Sequence, residues 1–312
     1  MPMRVAIQGE KGAYSECAAL DFFLKGSIVP CRDYVDLFTA VDKGQADCMV
    51  IPIENSTAGS IYQYYDLLLE YTSERGFRVC GERKLRIRHN LIGLADAKLS
   101  QIREVRSHYQ ALDQCRYSLR ARNLRPVPVY DTAGAAQDIR DQKLTSVAAI
   151  ASVQAAHDLG MKVLAPNMQD QKDNFTRFLW VQKGACPKPK GPAALKTTVA
   201  FCIANVEGSL FRTLAALGSR KDVNMIRIES RNLIGTASRM RKHARKHKKD
   251  DDTGVWDLVF YVDFTAPEGK AALVIDHLRE LVLTDSHGPA LQVFGTYPEG
   301  ELRDITGTPW RR

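Results

Sequence analysis

Hydrophobic positions along the chain follow two different grammars. From Arg4 to Val181, short apolar runs alternate with stripes of helical period. RVAIQG, Arg4 to Gly9, predicts a strand that breaks at Gly9 and Gly12, and Ser15 stands where it can cap the following helix. SIVPC predicts a second strand, and Tyr34 to Lys43 a helix. CMVIPI, Cys48 to Ile53, is apolar without interruption, as expected of a parallel strand buried on both faces. ENSTAGSI then opens a helix with Ile61, Tyr65 and Leu68 on one face. The alternation restarts at Asn90. NLIGL, EVRSH, VPVY and SVAAIAS read as strands, and Gln110–Arg122 and Thr132–Gln142 as helices. MKVLA and TRFLWV close the region. This order predicts an α/β architecture with mainly parallel sheets.

KGACPKPKGPAA, Lys183 to Ala194, interrupts the pattern and reads as a linker. Beyond it KTTVAFCIA is a strand, and SLFRTLAALG a helix with Leu210, Leu214 and Leu217 inward and Gly218 at its C-cap. VNMIRIESR is a strand. VWDLVFYVDF alternates, with Trp256, Leu258, Phe260, Val262 and Phe264 on one face. Lys270 to Leu283 is a helix and ALQVFGTY a last strand. The order βαββαβ is that of a ferredoxin-like unit.

Composition narrows the function classes. The chain has 312 residues, 45% hydrophobic and 26% charged, enough for two or three globular domains. No apolar run approaches the ~18 residues of a membrane span, and MPMRVAIQGE lacks a signal-peptide pattern. The expected compartment is the cytoplasm, or the plastid stroma if a longer precursor is trimmed. Seven scattered cysteines without a CxxC pair suggest free thiols, and no HExxH motif or other metal pattern occurs. RMRKHARKHKK, Arg239 to Lys249, carries seven Lys and Arg, and together with Asp250–Asp252 behind it makes up +4 of the net charge of +8. That run reads as a solvated loop rather than a nucleic-acid surface, since no aromatic platform accompanies it.

Three polar clusters follow predicted strands, where ligands bind in open α/β sheets. PIENSTAGS offers Asn55, Ser56 and Thr57 beside Gly59, at a helix start suited to an anion or to simple N-capping. SHYQAL places Ser107 and His108 ahead of a helix. DNFTRF packs Asn174, Thr176 and Arg177 into the mouth of a strand, where none is needed for the strand itself. An Arg there suits a carboxylate. GEKGAYSE has neither GxGxxG spacing nor a Walker lysine. Together these predict a site of hydroxyls and amides for a small anion. They leave open a binding protein or an enzyme.

The succession GEKGAYSE, PIENSTAGSI, SHYQALDQC, DTAGAA, AAIAS and NFTRF, followed by EGSLFRTLAAL, IESR, FYVDF and GTYP, resembles the prephenate dehydratases with a C-terminal ACT domain. The likeness covers nearly the whole chain, and several details are similar to the plant-type branch, which often prefers arogenate. It implies a two-lobed catalytic region like type-2 periplasmic binding proteins at 1–185, with lobe one at 1–85 and 165–185 and lobe two at 86–164. A linker at 186–194 and a ferredoxin-like ACT domain at 195–312 follow. The implied activity is decarboxylating dehydration of prephenate in phenylalanine biosynthesis, or of arogenate, with no cofactor and no metal. Thr176 would be catalytic. Asn55, Ser56, Thr57, Ser107, Gln110, Asn174, Arg177 and Phe178 would bind substrate. Phenylalanine would bind as effector at Gly208, Ser209, Leu210, Asn224 and Met225, in a homodimer or homotetramer joined through ACT domains. A catalytically silent amino-acid sensor would use the same folds, and the intact NFTRF argues for the enzyme. The chain departs from the family at Tyr109 and at Asn232, where a proline is usual.

Overall fold

The computed structural model describes residues 2–188, 195–203, 207–218, 220–232, 258–286 and 291–304. The basic run at 239–249, most of the predicted linker and Trp256 lie outside the described residues. The chain forms two compact units. The first comprises Met1–Tyr64, Arg83–Trp180 and Glu301–Arg312, and the second Tyr65–Glu82 and Val181–Gly300. The second unit thus takes in a segment of the N-terminal region besides the ferredoxin-like segment.

Unit one begins with β1 (Arg4–Gln8), α1 (Tyr14–Phe22), β2 (Ser27–Cys31), α2 (Tyr34–Asp42), β3 (Cys48–Asn55) and the short β4 (Gly59–Ser60). α3 (Tyr62–Arg75) and β5 (Phe77–Arg86) run on from it. A second set follows: β6 (Asn90–Gly93), β7 (Glu104–His108), α4 (Tyr109–Gln114), α5 (Arg116–Ala121), β8 (Arg125–Val129), α6 (Thr132–Asp141), β9 (Val147–Ala151), α7 (Val153–Asp158) and β10 (Lys162–Ala165). β11 (Phe175–Lys183) then returns to the first sheet.

The first sheet has the order β16-β5-β11-β3-β1-β2, where β16 is Leu302–Arg303 and β4 pairs with β3. β1 is parallel to both β2 and β3. The second sheet has the order β10-β6-β9-β7-β8. β7 is parallel to β8 and β9, whereas β6 is antiparallel to β9 and β10. The sheet is therefore mixed, and its antiparallel strands are those next to the two crossings between sheets. β3 is buried along Cys48–Ile51 as its uninterrupted apolar run predicts. Val5, Ile7, Cys17, Val50, Leu85 and Phe178 form one core cluster in this half. Each fully buried side chain of this size contributes about 1.5–3 kcal/mol by its removal from water.

Several helix starts differ from the sequence expectation. α1 starts at Tyr14 with Ala13 at its N-cap, so Ser15 lies inside the first turn. Ala13 offers no side-chain cap, and the Glu16 carboxylate accepts from the Gly12 amide at 2.5 Å, which ties the glycine loop to the first turn. The helix expected over Gln110–Arg122 is two helices that meet at Cys115. The Asp170 carboxylate accepts from the Tyr117 and Ser118 amides at 2.9 and 3.0 Å, and so caps α5 from a distant segment. The glycine loop GEKGAYSE is a docking element. Gly12 has φ +89, and a Cβ there would lie 2.8 Å from Ala155 Cα on α7. Ser152, which caps α7, also donates to Gly12 O at 2.5 Å.

Unit two contains β12 (Leu195–Cys202), α8 (Ser209–Gly218), β13 (Asn224–Asn232), β14 (Leu258–Ala266), α9 (Lys270–Ser286) and β15 (Leu291–Pro298). The sheet order is β13-β14-β12-β15, and all its pairings are antiparallel. That is the βαββαβ topology expected. Phe260, Val262 and Phe264 share one face of β14, with Phe260 stacked on Phe201 at 5.5 Å. Tyr261 and Asp263 face the other way. There Tyr65 of α3 meets Tyr261 at 4.9 Å and lies under the Arg227 guanidinium, and Asp66 pairs with Arg231 at 2.8 Å.

One expectation is corrected. The seven cysteines are not all free: Cys80 and Cys186 are disulfide-bonded, with Cα atoms 5.2 Å apart and 106 residues between them in sequence. No spacing motif announces a bridge across so long a loop. Cys17, Cys31, Cys48, Cys115 and Cys202 are free and buried. Alkylation of the denatured protein without reductant should therefore label five thiols and leave the peptides of Cys80 and Cys186 joined in a mass spectrum. Seven labelled thiols in oxidised, air-equilibrated protein would overturn the pairing.

Candidate active site

Three segments of unit one meet at the mouth of β11. They are the end of β3, the last turn of α4 and the residues before Phe175. Asn55 is at the centre and is 5% exposed. Its Nδ2 donates to Asn174 Oδ1 at 2.8 Å, Thr176 Oγ1 at 3.0 Å and Phe175 O at 3.1 Å. Its Oδ1 accepts from the amides of Thr57 and Ala58, both at 3.0 Å, from Thr57 Oγ1 at 2.7 Å and from Gln114 Nε2 at 3.0 Å. The two main-chain donors fix which way this amide points.

Gln114 extends the network across the second sheet's side of the site. Its Nε2 also donates to Thr57 Oγ1 at 2.8 Å, while its Oε1 accepts from Asn174 Nδ2 at 2.8 Å. The same Oε1 lies 2.8 Å from His89 Nε2. His89 is 3% exposed, and its Nδ1 is 3.2 Å from the Tyr14 hydroxyl. Burial pushes the His89 pKa down to about 4 against its hydrogen bond to the Gln114 oxygen, so the ring is neutral near pH 7. Desolvation also lowers the pKa of the half-buried His108, whose ring lies 4.5 Å from Tyr109.

The residues expected in the site separate into three groups. Asn55, Thr57, Asn174 and Thr176 come together. Thr176 is 9% exposed, and its oxygen accepts from Asn55. Among the described residues its own proton has no acceptor. Ser56, Ser107, Arg177 and Phe178 are engaged elsewhere. Ser56 Oγ accepts from the Phe175 amide and donates to Asp173 O, both at 2.9 Å, which pins the loop to β11. Ser107 is fully buried and donates to Ile150 O at 2.6 Å, so it neither caps α4 nor opens onto the site. Arg177 faces Glu54 at 3.5 Å, its side chain 8% exposed. Phe178 lies in the core beneath. Gln110 is partly exposed on the first turn of α4, one turn before Gln114. Sequence reasoning missed Gln114, His89 and Tyr14. Gln114 stood in the quoted SHYQALDQC, and its position one turn after Gln110 was the available signal.

The arrangement is rich in neutral donors. Four donors converge on Asn55 Oδ1, which has only two lone pairs. The surplus donors, Thr57 Oγ1 and Gln114 Nε2, can turn to an anionic ligand without leaving Asn55 bare. Among the described residues no group of three or more His, Cys, Asp and Glu side chains could hold a metal ion.

The family model for prephenate dehydratase matches residues 5–186, more than half of the chain. The chain belongs to the prephenate dehydratase family. That membership makes it a hydro-lyase. It is 37% identical over 300 residues to the Arabidopsis thaliana protein named arogenate dehydratase/prephenate dehydratase 2, chloroplastic, which covers 95% of this chain and 73% of that protein. Its fold is that of the prephenate dehydratase from Arthrobacter aurescens solved in complex with L-Phe. The TM-score is 0.76 at 26% identity, over 95% of this chain and 90% of that one. The structure described as GqqA, a quorum quenching acylase, matches with a TM-score of 0.76 at 28% identity, over 95% of this chain and 98% of that one. The match to the Arthrobacter prephenate dehydratase bears out the two-lobed catalytic architecture expected from the sequence.

The neutral His89 ties stability to pH. Its folded pKa of about 4 lies below the ordinary 6.5. As pH falls through that window the unfolded chain takes up a proton that the folded chain refuses, so stability is full above pH 6.5 and declines toward pH 4. Relative to His89→Gln, the wild type should lose about 3 kcal/mol between pH 7 and pH 4, the scale set by 1.36 kcal/mol per pKa unit. Urea titrations of both proteins at pH 7, 5.5 and 4 measure this. Parallel decline of the two would refute the buried neutral ring.

Proposed function

We propose that the chain catalyses the decarboxylating dehydration of prephenate to phenylpyruvate, with arogenate as the alternative substrate, giving phenylalanine directly. In either substrate a ring carboxylate and a hydroxyl stand across the ring. The bond to CO₂ breaks, its electron pair enters the ring, and the C–O bond on the far side breaks with its own pair, so that hydroxide departs and takes a proton from solvent to become water. Aromatisation drives the step, so no redox cofactor is needed.

The observation that carries this reading is the geometry of Thr176. Asn55 donates to the Thr176 oxygen, and among the described residues the hydroxyl's own proton has no acceptor, which leaves it for a ligand. A neutral threonine is too weak an acid to protonate a leaving group outright. It acts instead as a positioned donor to the departing oxygen. Thr57, Gln114 and Asn174 supply donors for the substrate's carboxylate and carbonyl oxygens. Arg177 orders the motif through Glu54, and Phe178 supports the strand from the core. An amide hydrolase would need a nucleophile beside a base. Ser56 and Ser107 both donate to main-chain carbonyls instead, so the site favours dehydration over the acylase chemistry named for one structural neighbour.

For localisation, the proposal is the plastid stroma or the cytoplasm. The former follows the Arabidopsis relative's printed name. Among the described residues no helix is long and apolar enough to cross a membrane.

Thr176→Val should keep the fold and lower kcat by about 10²–10⁴-fold, the usual scale for a positioned donor. Turnover of prephenate and arogenate is to be measured side by side with wild type and variant, at the products. Wild-type protein inert on both, or a variant within a factor of a few of wild type, would sink the assignment.

The second part of the proposal is an effector site for phenylalanine between two copies of unit two. The relative solved with L-Phe supports it. In this chain Gly208 has φ +74 ahead of α8, Ser209 is buried at the first position of that helix, and Asn224 and Met225 open β13. The free amides of a helix start suit the ligand's carboxylate, Leu210 lies on the same turn, and Asn224 suits its polar end. Homodimers or homotetramers would then be joined through these surfaces. Calorimetry should show phenylalanine binding to wild type and its loss in Gly208→Val, with circular dichroism confirming the fold. Unchanged binding by the variant would remove these residues from the account.

A further inference from the structure

His89 occupies the point where both crossings between the two sheets of unit one meet. The chain leaves β5 at Arg86 and enters β6 at Asn90, and it returns from β10 at Ala165 to β11 at Phe175. Between them, the Ile87 amide donates to Asn174 O and the Met168 amide to His89 O, each at 2.7 Å. The His89 amide donates to Gln169 Oε1 at 2.9 Å. The main chain of His89 is thus held by the returning crossing while its ring reaches the site.

The ring's partner is an amide without a main-chain anchor. Asn55 is oriented by the Thr57 and Ala58 amides and by Phe175 O. The Gln114 side chain has only side-chain partners among the described residues: Asn55, Thr57, Asn174 and His89. Its Nε2 donates toward Asn55 and Thr57, so its Oε1 accepts; of the two ring nitrogens, Nε2 has the closer acceptor, at 2.8 Å against 3.2 Å from Nδ1 to the Tyr14 oxygen, and we place the proton there. The donors then run in one direction. His89 Nε2–H donates to Gln114 Oε1, Gln114 Nε2–H to Asn55 Oδ1, and Asn55 Nδ2–H to Thr176 Oγ1. The chain ends with the Thr176 proton free to be given outward.

We infer that His89 is a positioning residue for the reaction, which sets the polarity of the Gln114 amide from the crossing point and through it the donor direction of Thr176. It touches neither substrate nor reacting atoms. Tyr14 holds the far side of the ring: its hydroxyl donates to Arg88 O at 2.6 Å, and the two rings meet edge-on at 5.6 Å. A reversed Gln114 amide would set its NH₂ against the His89 N–H and the Asn174 NH₂, and its oxygen against Asn55 Oδ1. Loss of the His89 donor removes one of the contacts that forbid that reversal. The inference rests on the proposed role of Thr176.

The test is a double-mutant cycle read in kcat and KM. His89→Leu removes the donor at similar bulk and should lower kcat by about tenfold or more, the scale of one lost hydrogen bond, with KM changed less than about threefold. His89→Gln, which can still donate, should recover most of the loss. In a Thr176→Val background, His89→Leu should cost nothing further, since the two act as one unit. Circular dichroism and melting curves confirm folding. If His89→Leu does not fold, His89→Asn, too short to reach Gln114, replaces it with the same expectation. Losses that multiply in the double variant, or wild-type kcat in a folded His89→Leu, would overturn the inference. A near-wild-type Thr176→Val would instead overturn the proposed active site itself.

Discussion

The two atoms of the Asn55 amide hold the site together. Three acceptors meet its Nδ2 and four donors its Oδ1, in a position 5% exposed. The partners come from three segments of the chain, so one neutral group fixes the end of β3 against the start of β11 and the end of α4. An aspartate would supply the acceptor side and lose the donor side. It would also bury a charge beside an anionic substrate. An alanine would leave buried donors and acceptors on all sides without partners, each costing about 1–3 kcal/mol. The amide is neutral at every pH, so the framework does not titrate where the substrate binds.

The sequence made the frame visible and hid the contacts. The strand–helix alternation, the buried run at Cys48–Ile53 and the βαββαβ segment all depend on local periodicity, which is written residue by residue. The polar clusters at Asn55–Thr57 and Asn174–Thr176 stood out because strands do not need them. Gln114 and His89 did not, because a Gln on a helix and a His before a strand are unremarkable until a partner is known. Their partners lie 59 and 25 residues away. The same blindness explains Ser56 and Ser107. A hydroxyl engaged by a main-chain carbonyl looks in sequence like one offered to a ligand. It explains the break at Cys115 too, where the cap of α5 comes from Asp170, and the disulfide across 106 residues.

Unit two shows a different constraint. β14 carries only apolar side chains on the face of Phe260, Val262 and Phe264, but its other face sets a charge beside the buried Val259 and Tyr261. On the other face Asp263 is fully buried, accepts from Thr198 Oγ1 at 2.6 Å and stands 3.9 Å from Arg227. Lys196 and Glu82, both almost wholly buried, pair at 2.7 Å. Desolvating such groups costs about as much as their attraction returns. Their contribution is therefore to specificity of packing more than to net stability. Removing one partner would strand the other's charge, while replacing both with apolar groups of matching volume would be far milder.

The choice of neutral donors also bears on the chemistry. On the proposed reading the substrate arrives as a dianion and loses one carboxylate as neutral CO₂. A guanidinium aimed at that carboxylate would stabilise the charge most in the ground state and least once the charge has moved into the ring, which would raise the barrier. The one arginine of the NFTRF motif is instead turned to Glu54 at 3.5 Å. Amides and hydroxyls bind a carboxylate by shorter-ranged and weaker interactions, so less stabilisation is lost as CO₂ departs. They also keep a proton aimed at the opposite pole, where negative charge grows on the leaving oxygen and where Thr176 stands. A site built from neutral groups can hold the anion loosely at one pole and assist its departure at the other. A site built from formal charges would do the first too well.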